Sequence, residues 1–258
     1  VRRASVAAGA RVTGSPPVHT ETVTYAAGGT TLRGYLATDP ARPGKRPGVL
    51  VVHEWWGLND YIRGRTRMLA ALGYTALAAD MYGDGRVADD PTGAGQLMNA
   101  VLADMPSGEA RFGAAYERLQ AHPTVDPTRV AGFGYCFGGA VVLHAARTGV
   151  PLSGVASFHA ALGSFHKPAP GSVAAKILVC HGAADTLVPE AEVATFRAEM
   201  DAARADYRFV AYPGALHSFT NPEADAKATR FGIPLGFDRA ADERSWQDLR
   251  DFLGRVFA

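Results

Sequence analysis

The sequence predicts an α/β fold in which helices cover both faces of a mainly parallel sheet. Short apolar runs typical of buried strands alternate along the chain with longer segments of helical character, which is the pattern of successive β-α units. Within residues 128–143, an apolar run passes through Gly-Tyr-Cys-Phe-Gly into small and apolar residues suited to a helix. A sharp strand-to-helix turn of this kind lifts one side chain above the edge of the sheet.

The predicted sheet opens with an antiparallel hairpin. Residues 21–26 and 31–38 alternate apolar and polar side chains around the pair Gly28-Gly29, which is a hairpin signal. Consecutive apolar positions, as expected of strands covered on both faces, predict the later strands at 47–53, 74–79, 128–133, 152–158, 174–180 and 207–212. Helices are predicted at 60–72, at 94–119 in two pieces broken near Pro106, from the glycine motif to about 147, at 189–204 and at 240–257.

Composition narrows the class of protein. The 258 residues, 47% of them hydrophobic, suit one α/β domain, which we place at residues 19–258. A net charge of +1 argues against a nucleic-acid or anionic membrane partner, and no apolar run approaches the length of a membrane span. The two cysteines do not make a disulfide framework, so a reducing cytoplasm is the expected location. The sequence does not predict an oligomeric state.

Residues 1–18 stand apart from the rest. They show no useful periodicity and end near Gly-Ser-Pro-Pro. Arg2-Arg3 could suggest an export signal, but the long apolar core of such a signal is missing. We expect a leader, a vector-derived extension or a disordered arm.

Cys136 is the candidate nucleophile. It lies at the predicted turn between strand and helix, with Gly134 and Gly138 leaving room on either side. The free backbone N–H groups that begin the helix favour a negative charge such as a thiolate. The alternative is that Cys136 is a small buried hydrophobic residue, as free cysteines often are. Cys180 ends an apolar run and is expected in the core.

A thiol nucleophile needs a base, and the base needs an orienting acceptor. Asp185 follows one predicted strand and His217 follows the last, in the order nucleophile, acid, histidine. The carboxyl ends of parallel strands share one edge of the sheet, where ligand sites lie. Asp185 could instead be a turn former, and His217 a loop histidine without a role. The remaining candidate histidines precede Asp185 and do not fit this order: His144, His159, His166 and His181.

Four separated motifs resemble the dienelactone hydrolase family of α/β-hydrolases. They read VVHEWWGLN, GFGYCFGG, HGAAD and YPGALHSF, and the likeness extends from about residue 21 onward. A narrower resemblance is to a branch of that family with promiscuous phosphotriester hydrolysis. The resemblance implies an α/β-hydrolase fold, Cys136 as nucleophile, His217 as base and acid, and Asp185 as its orienting group. It further implies that Glu54 contacts the cysteine and holds the resting thiol, because a nearby carboxylate opposes a second negative charge.

The surroundings of this site are predicted in less detail. The backbone N–H groups of Phe137 and Trp55 are expected to form an oxyanion hole. Aromatic residues at strand ends either line the substrate pocket or belong to the core, and they are Trp55, Trp56, Tyr82, Tyr135 and Phe219. No metal or cofactor is expected, because His53-Glu54, His144 and His181 form no recognisable ligand set.

The sequence departs from the family where dienelactone hydrolase proper is understood to hold a substrate carboxylate with arginines. The matching neighbourhoods read DMYGDGR and HSFTNP, and only Arg86, at a different spacing, could substitute. Without a bidentate clamp, selection for an anionic lactone should be weak. We therefore expect hydrolysis of neutral esters or lactones through a thioester, with neutral aryl phosphotriesters as promiscuous substrates. Two alternatives stay open: a non-catalytic member of the fold and a redox-sensing thiol at Cys136.

Overall fold

The computed structural model describes residues 18–258, in which eight strands form one sheet of order β1-β2-β4-β3-β5-β6-β7-β8. The strands are β1 (His19–Ala27), β2 (Thr30–Thr38), β3 (Arg46–Val52), β4 (Thr75–Ala79), β5 (Val125–Tyr135), β6 (Gly154–Phe158), β7 (Lys176–Gly182) and β8 (Tyr207–Tyr212). β1 and β2 are antiparallel to their neighbours. The other six strands, β3 to β8, are parallel to one another. This is the α/β-hydrolase fold that the sequence predicts.

The described residues also form seven helices. They are α1 (Asp60–Ala71), α2 (Pro91–Leu102), α3 (Met105–Gln120), α4 (Phe137–Arg147), α5 (Glu190–Ala202), α6 (Ala224–Phe231) and α7 (Arg239–Val256). The core has two layers, one on each face of the sheet. Side chains of α3, α4 and α5 bury one face, and those of α1 and α7 bury the other. Among the helices of residues 18–258, none combines the length and hydropathy that a transmembrane span requires.

Most elements lie where the periodicity predicts them, and the differences have local causes. The chain breaks between α2 and α3 because Asp104 caps α3 by accepting from the Ser107 N–H. Pro106 lies in the first turn of α3, where proline is tolerated. The sequence analysis does not predict α6, because only Ala224 is buried in it and it therefore has no apolar stripe. The proposed extension at residues 1–18 falls, except for residue 18, outside the described residues.

The chain order places four predicted functional residues at one edge of the sheet. The strand sequence runs from β3 to β4 on one side and then to β5 on the other, which creates the reversal in strand order where such folds bind ligands. Glu54 follows β3, Cys136 follows β5, Asp185 follows β7 and His217 follows β8. The topology therefore brings together residues that are far apart in sequence.

The turn at Cys136 depends on very close backbone packing. Cys136 has φ 52° and ψ −116°, in the region that non-glycine residues rarely adopt. A Cβ atom on Gly134 would lie 1.9 Å from the Gly138 carbonyl oxygen, and one on Gly138 would lie 2.3 Å from the Val52 carbonyl oxygen. The first turn of α4 thus rests directly on the backbones of β5 and β3.

We expect Gly138→Ala to lower the free energy of unfolding by about 1–3 kcal/mol or more, because the added Cβ overlaps the Val52 carbonyl. Gly95→Ala in α2 is the matched control. A Cβ there meets no atom within 4 Å, so alanine should add about 0.5–1 kcal/mol through helix propensity. Urea unfolding of the two variants would test this packing, and equal stability of both would refute it.

Candidate active site

Cys136 is held at the N-terminal end of α4 by its own backbone. Its N–H donates to the Phe158 carbonyl at 2.9 Å, and its carbonyl accepts from Gly139 at 3.0 Å and Ala140 at 3.2 Å. The side chain is half-buried. These bonds hold the residue in its strained conformation, with the sulfur close to the positive end of the helix dipole. Cys180, by contrast, is fully buried in β7, as predicted.

Asp185 and His217 form a hydrogen-bonded pair. His217 Nδ1 donates to Asp185 Oδ2 at 2.8 Å, and both residues are buried. The other carboxylate oxygen of Asp185 accepts from the Leu187 N–H at 2.9 Å. With Nδ1 occupied in this way, Nε2 is the nitrogen of His217 that is available for proton transfer.

The pKa of His217 also reflects its closeness to Cys136. Burial lowers this pKa, but the negative charge and hydrogen bonding of Cys136, together with the bond to Asp185, outweigh burial and raise it to about 10. Cys136 and Asp185 thus both lie close enough to His217 to raise its pKa. The raised pKa favours the protonated, cationic form of the His217 ring.

The loop that presents His217 is anchored by a buried polar network. Thr220 Oγ1 bonds His159 Nε2 at 2.7 Å and Tyr61 Oη at 2.6 Å. The Thr220 carbonyl accepts from Arg65 Nη2 at 2.5 Å, and Arg65 also pairs with Asp242. The sequence analysis gives no role to Arg65 or Tyr61. A signal for Arg65 exists, because a charged residue on the buried, apolar face of α1 requires a partner.

Glu54 lies at the same site, fully buried, with a partner for each oxygen. Oε1 accepts from Ser218 Oγ at 3.1 Å and Oε2 from Asn221 Nδ2 at 2.7 Å. Burial raises the pKa of Glu54, and the hydrogen bonds from Asn221 and Ser218 oppose that rise. Within residues 18–258 Glu54 makes no hydrogen bond to Cys136, so the expectation that it holds the resting thiol stays a prediction.

Two backbone N–H groups are free to serve as an oxyanion hole. Neither the Trp55 N–H nor the Phe137 N–H has an acceptor within residues 18–258. The Tyr82 hydroxyl donates to the Trp55 carbonyl at 2.9 Å, which fixes the orientation of the strand-to-helix loop. The Tyr82 ring in turn stacks on Phe137 with centroids 5.8 Å apart. The two loops that carry these N–H groups are therefore packed together.

The other predicted pocket residues occupy different environments. Trp56 is buried, lies 4.9 Å from Trp55 between ring centroids, and lines an open cavity of about 710 Å³ against α6. Tyr135 and Phe219 are buried in the core on the face covered by α1 and α7. The exposed Arg86 donates to the carbonyls of Tyr82 and Gly83 and so stabilises its own loop.

Within residues 18–258, no group of three His, Cys, Asp or Glu side chains is placed to hold a metal ion. The family model described as "Dienelactone hydrolase family" matches residues 32–257. The chain belongs to the dienelactone hydrolase family.

Individual relatives agree with this family assignment. The chain is similar to a dienelactone hydrolase-like promiscuous phosphotriesterase from metagenomic libraries, with 36% identity, a TM-score of 0.85, and coverage of 93% of this chain and 98% of the other. It is also similar to the solved structure of m3DLH, with 38% identity, a TM-score of 0.87, and coverage of 95% and 100%. A Salmonella typhimurium protein named "Putative carboxymethylenebutenolidase" is 30% identical, with coverage of 88% and 84%.

We expect Cys136→Ala to lower the pKa of His217 from about 10, because the change removes the largest influence that raises it and leaves burial in place. An NMR titration of the His217 ring in wild type and variant measures the shift directly. An unchanged pKa would show that the thiol and the imidazole are not coupled.

Proposed function

We propose that this protein hydrolyses neutral carboxylic esters or lactones through a Cys136–His217–Asp185 triad and a thioester intermediate. The observation that supports this most strongly is the 2.8 Å bond from His217 to Asp185 beside a cysteine held at φ 52° on a strand-to-helix turn. The proposed nucleophile, orienting acid and base follow one another in the chain order of an α/β-hydrolase triad, and a hydrogen bond joins the acid to the base.

In the acylation half of the proposed reaction, the Cys136 thiolate attacks the substrate carbonyl carbon and forms a C–S bond. The carbonyl π electrons move to oxygen, where the N–H groups of Trp55 and Phe137 stabilise the negative charge. The C–O bond to the leaving group then breaks, and His217 gives its proton to the departing alkoxide. The products of this half-reaction are an alcohol and a thioester on Cys136.

In the deacylation half, neutral His217 takes a proton from water as the water oxygen attacks the thioester carbonyl. The tetrahedral intermediate uses the same two N–H donors. Collapse breaks the C–S bond, releases the carboxylic acid and returns the thiolate beside protonated His217. Asp185 holds the ring in one orientation throughout, through its bond to Nδ1.

Several features favour neutral over anionic substrates. Thr220 and Asn221 stand near the positions where the resemblance expects an arginine, and both are neutral and already hydrogen-bonded. The guanidinium group of Arg86 donates hydrogen bonds to backbone carbonyls. Glu54 adds an acidic group to the site. A substrate carboxylate would thus find no bidentate partner among these residues.

A second candidate activity is hydrolysis of neutral aryl phosphotriesters. It is favoured by the 36% identity to a relative described as a promiscuous phosphotriesterase. A phosphoryl oxygen that gains charge during attack on phosphorus can use the same N–H donors as a carbonyl oxygen. We propose this as a side activity of the same thiol site.

We expect Cys136→Ala to abolish turnover of an aryl ester, an unsaturated lactone and an aryl phosphotriester, with little change in thermal stability, because Cys136 is only half-buried. Assays of all three substrates with both proteins check this. Full ester turnover by the variant would disprove the thiol mechanism. No turnover by wild type on any of the three would favour a binding or redox role.

We expect Asp185→Asn to reduce kcat by about 10²- to 10⁴-fold, since the amide no longer fixes the His217 ring in its working tautomer. Asp251→Asn, an exposed change on α7, is the control and should leave kcat unchanged. If Asp185→Asn kept wild-type kcat, the orienting group would have to be a different residue.

A further inference from the structure

A second, mostly apolar cavity includes in its wall Phe137, the residue that follows the proposed nucleophile. It has a volume of about 290 Å³ and lies between α2, α3 and α4. Leu102 contributes from α2, Phe112 and Gly113 from α3, and Phe137 and Ala140 from α4. The hydrogen-bonded pair Glu109–His144, 2.7 Å apart, is also part of its wall. The proposed reaction makes no use of this space.

Helix α4 connects the cavity wall to the proposed nucleophile. Phe137 directly follows Cys136, carries an N–H without a backbone acceptor in residues 18–258, and lines the cavity. Ala140 lies one helical turn further on, and its N–H donates to the Cys136 carbonyl. Cys136 and Trp55 pack against the same hydrophobic cluster as Leu102. The cavity and the thiol thus share one face of the sheet.

We propose that this cavity binds the hydrocarbon acyl chain of the substrate, so that the protein prefers esters of medium-length aliphatic acids; this inference rests on the proposed ester hydrolysis. An apolar cavity of about 150 Å³ accommodates a benzene ring of six carbons. The larger volume found here should therefore accept a chain of about six to ten carbons. Burial of each methylene should raise kcat/KM by about fourfold until the cavity is full.

The acyl group fits this place better than the alcohol group does. The acyl chain stays bonded to Cys136 through the thioester stage, so a pocket one helical turn away can hold it throughout. The alcohol must leave after the first half-reaction, and burying it between three helices would slow its release. Glu109 on the cavity wall also disfavours a terminal carboxylate, so the chain should be uncharged at its far end.

Gly113 permits a clean test. It lines the cavity from inside α3, and a Cβ at this position meets no atom within 4 Å. Gly113→Leu should therefore fill the cavity without disturbing the backbone, while improving helix propensity. Gly254→Leu in α7 is the matched control, because its Cβ also meets nothing within 4 Å and α7 covers the opposite face.

The measurement is kcat/KM for p-nitrophenyl acetate, butyrate, hexanoate, octanoate and decanoate. For wild type and Gly254→Leu, kcat/KM should be higher for the hexanoate, octanoate and decanoate esters than for acetate. Gly113→Leu should keep acetate turnover within about twofold and lose tenfold or more on octanoate. A parallel series of acetate esters with lengthening alcohols should not respond to Gly113→Leu.

The outcomes separate this inference from the proposed function. Suppose that acetate turnover depends on Cys136. The acyl pocket would then be overturned, and the hydrolase function kept, if kcat/KM did not change with chain length or if both leucine variants lost octanoate turnover equally. If Gly113→Leu changed kcat/KM only in the series of lengthening alcohols, the acyl pocket would also be overturned, because the cavity would then bind the leaving group. Absence of any Cys136-dependent ester turnover would overturn the proposed function itself.

Discussion

The contact of the first turn of α4 with the backbones of β3 and β5 determines the geometry of the site. Gly134 and Gly138 allow peptide groups to approach within distances that any Cβ would prevent. This contact sets the height of Cys136 above the sheet, directs the Phe137 N–H and forces the positive φ of Cys136. The strain at one residue is balanced by the packing around it, as is common at functional sites.

The His217 loop needs a different kind of support, because it lies outside the strands and helices of residues 18–258. Arg65 and Asp242 make a largely buried ion pair, and Arg65 also binds the Thr220 carbonyl. His159 bonds the Thr220 side chain, and its ring centroid lies 5.4 Å from that of His217. Burial is the main cause that lowers the pKa of His159, and the charge of His217 lowers it further, so this pKa lies well below its usual value. A neutral His159 can therefore pack against a cationic His217 without repulsion.

The sequence predicts the strands, most helices and the triad because each depends on local pattern. Fully buried strands such as β4 and β6 read as apolar runs, and glycine spacing marks the turn at Cys136. Topology then collects residues that follow parallel strands at one edge. The sequence does not predict helix α6, because this helix buries too little apolar surface to give a periodic pattern of hydrophobic residues.

Partners of buried polar groups are harder to predict, because they depend on side-chain directions across the fold. The bonds of Glu54 to Ser218 and Asn221 join residues more than 160 positions apart. The same holds for the 290 Å³ cavity, which exists only because three helices leave a gap that no side chain fills. Sequence pattern gives the apolar character of these positions but not their spacing in three dimensions.

Glu54 and Asp185 show how one site treats two carboxyl groups differently. Asp185 faces the imidazole of His217 directly, so its charge is matched by a cation. Within residues 18–258, the Glu54 carboxyl group receives hydrogen bonds from the neutral side chains of Ser218 and Asn221 alone, and burial raises its pKa. Moving Glu54 away from Ser218 and Asn221 would break two hydrogen bonds of a buried carboxyl group, which costs free energy. These bonds therefore stabilise the position of Glu54 beside Ser218 and Asn221.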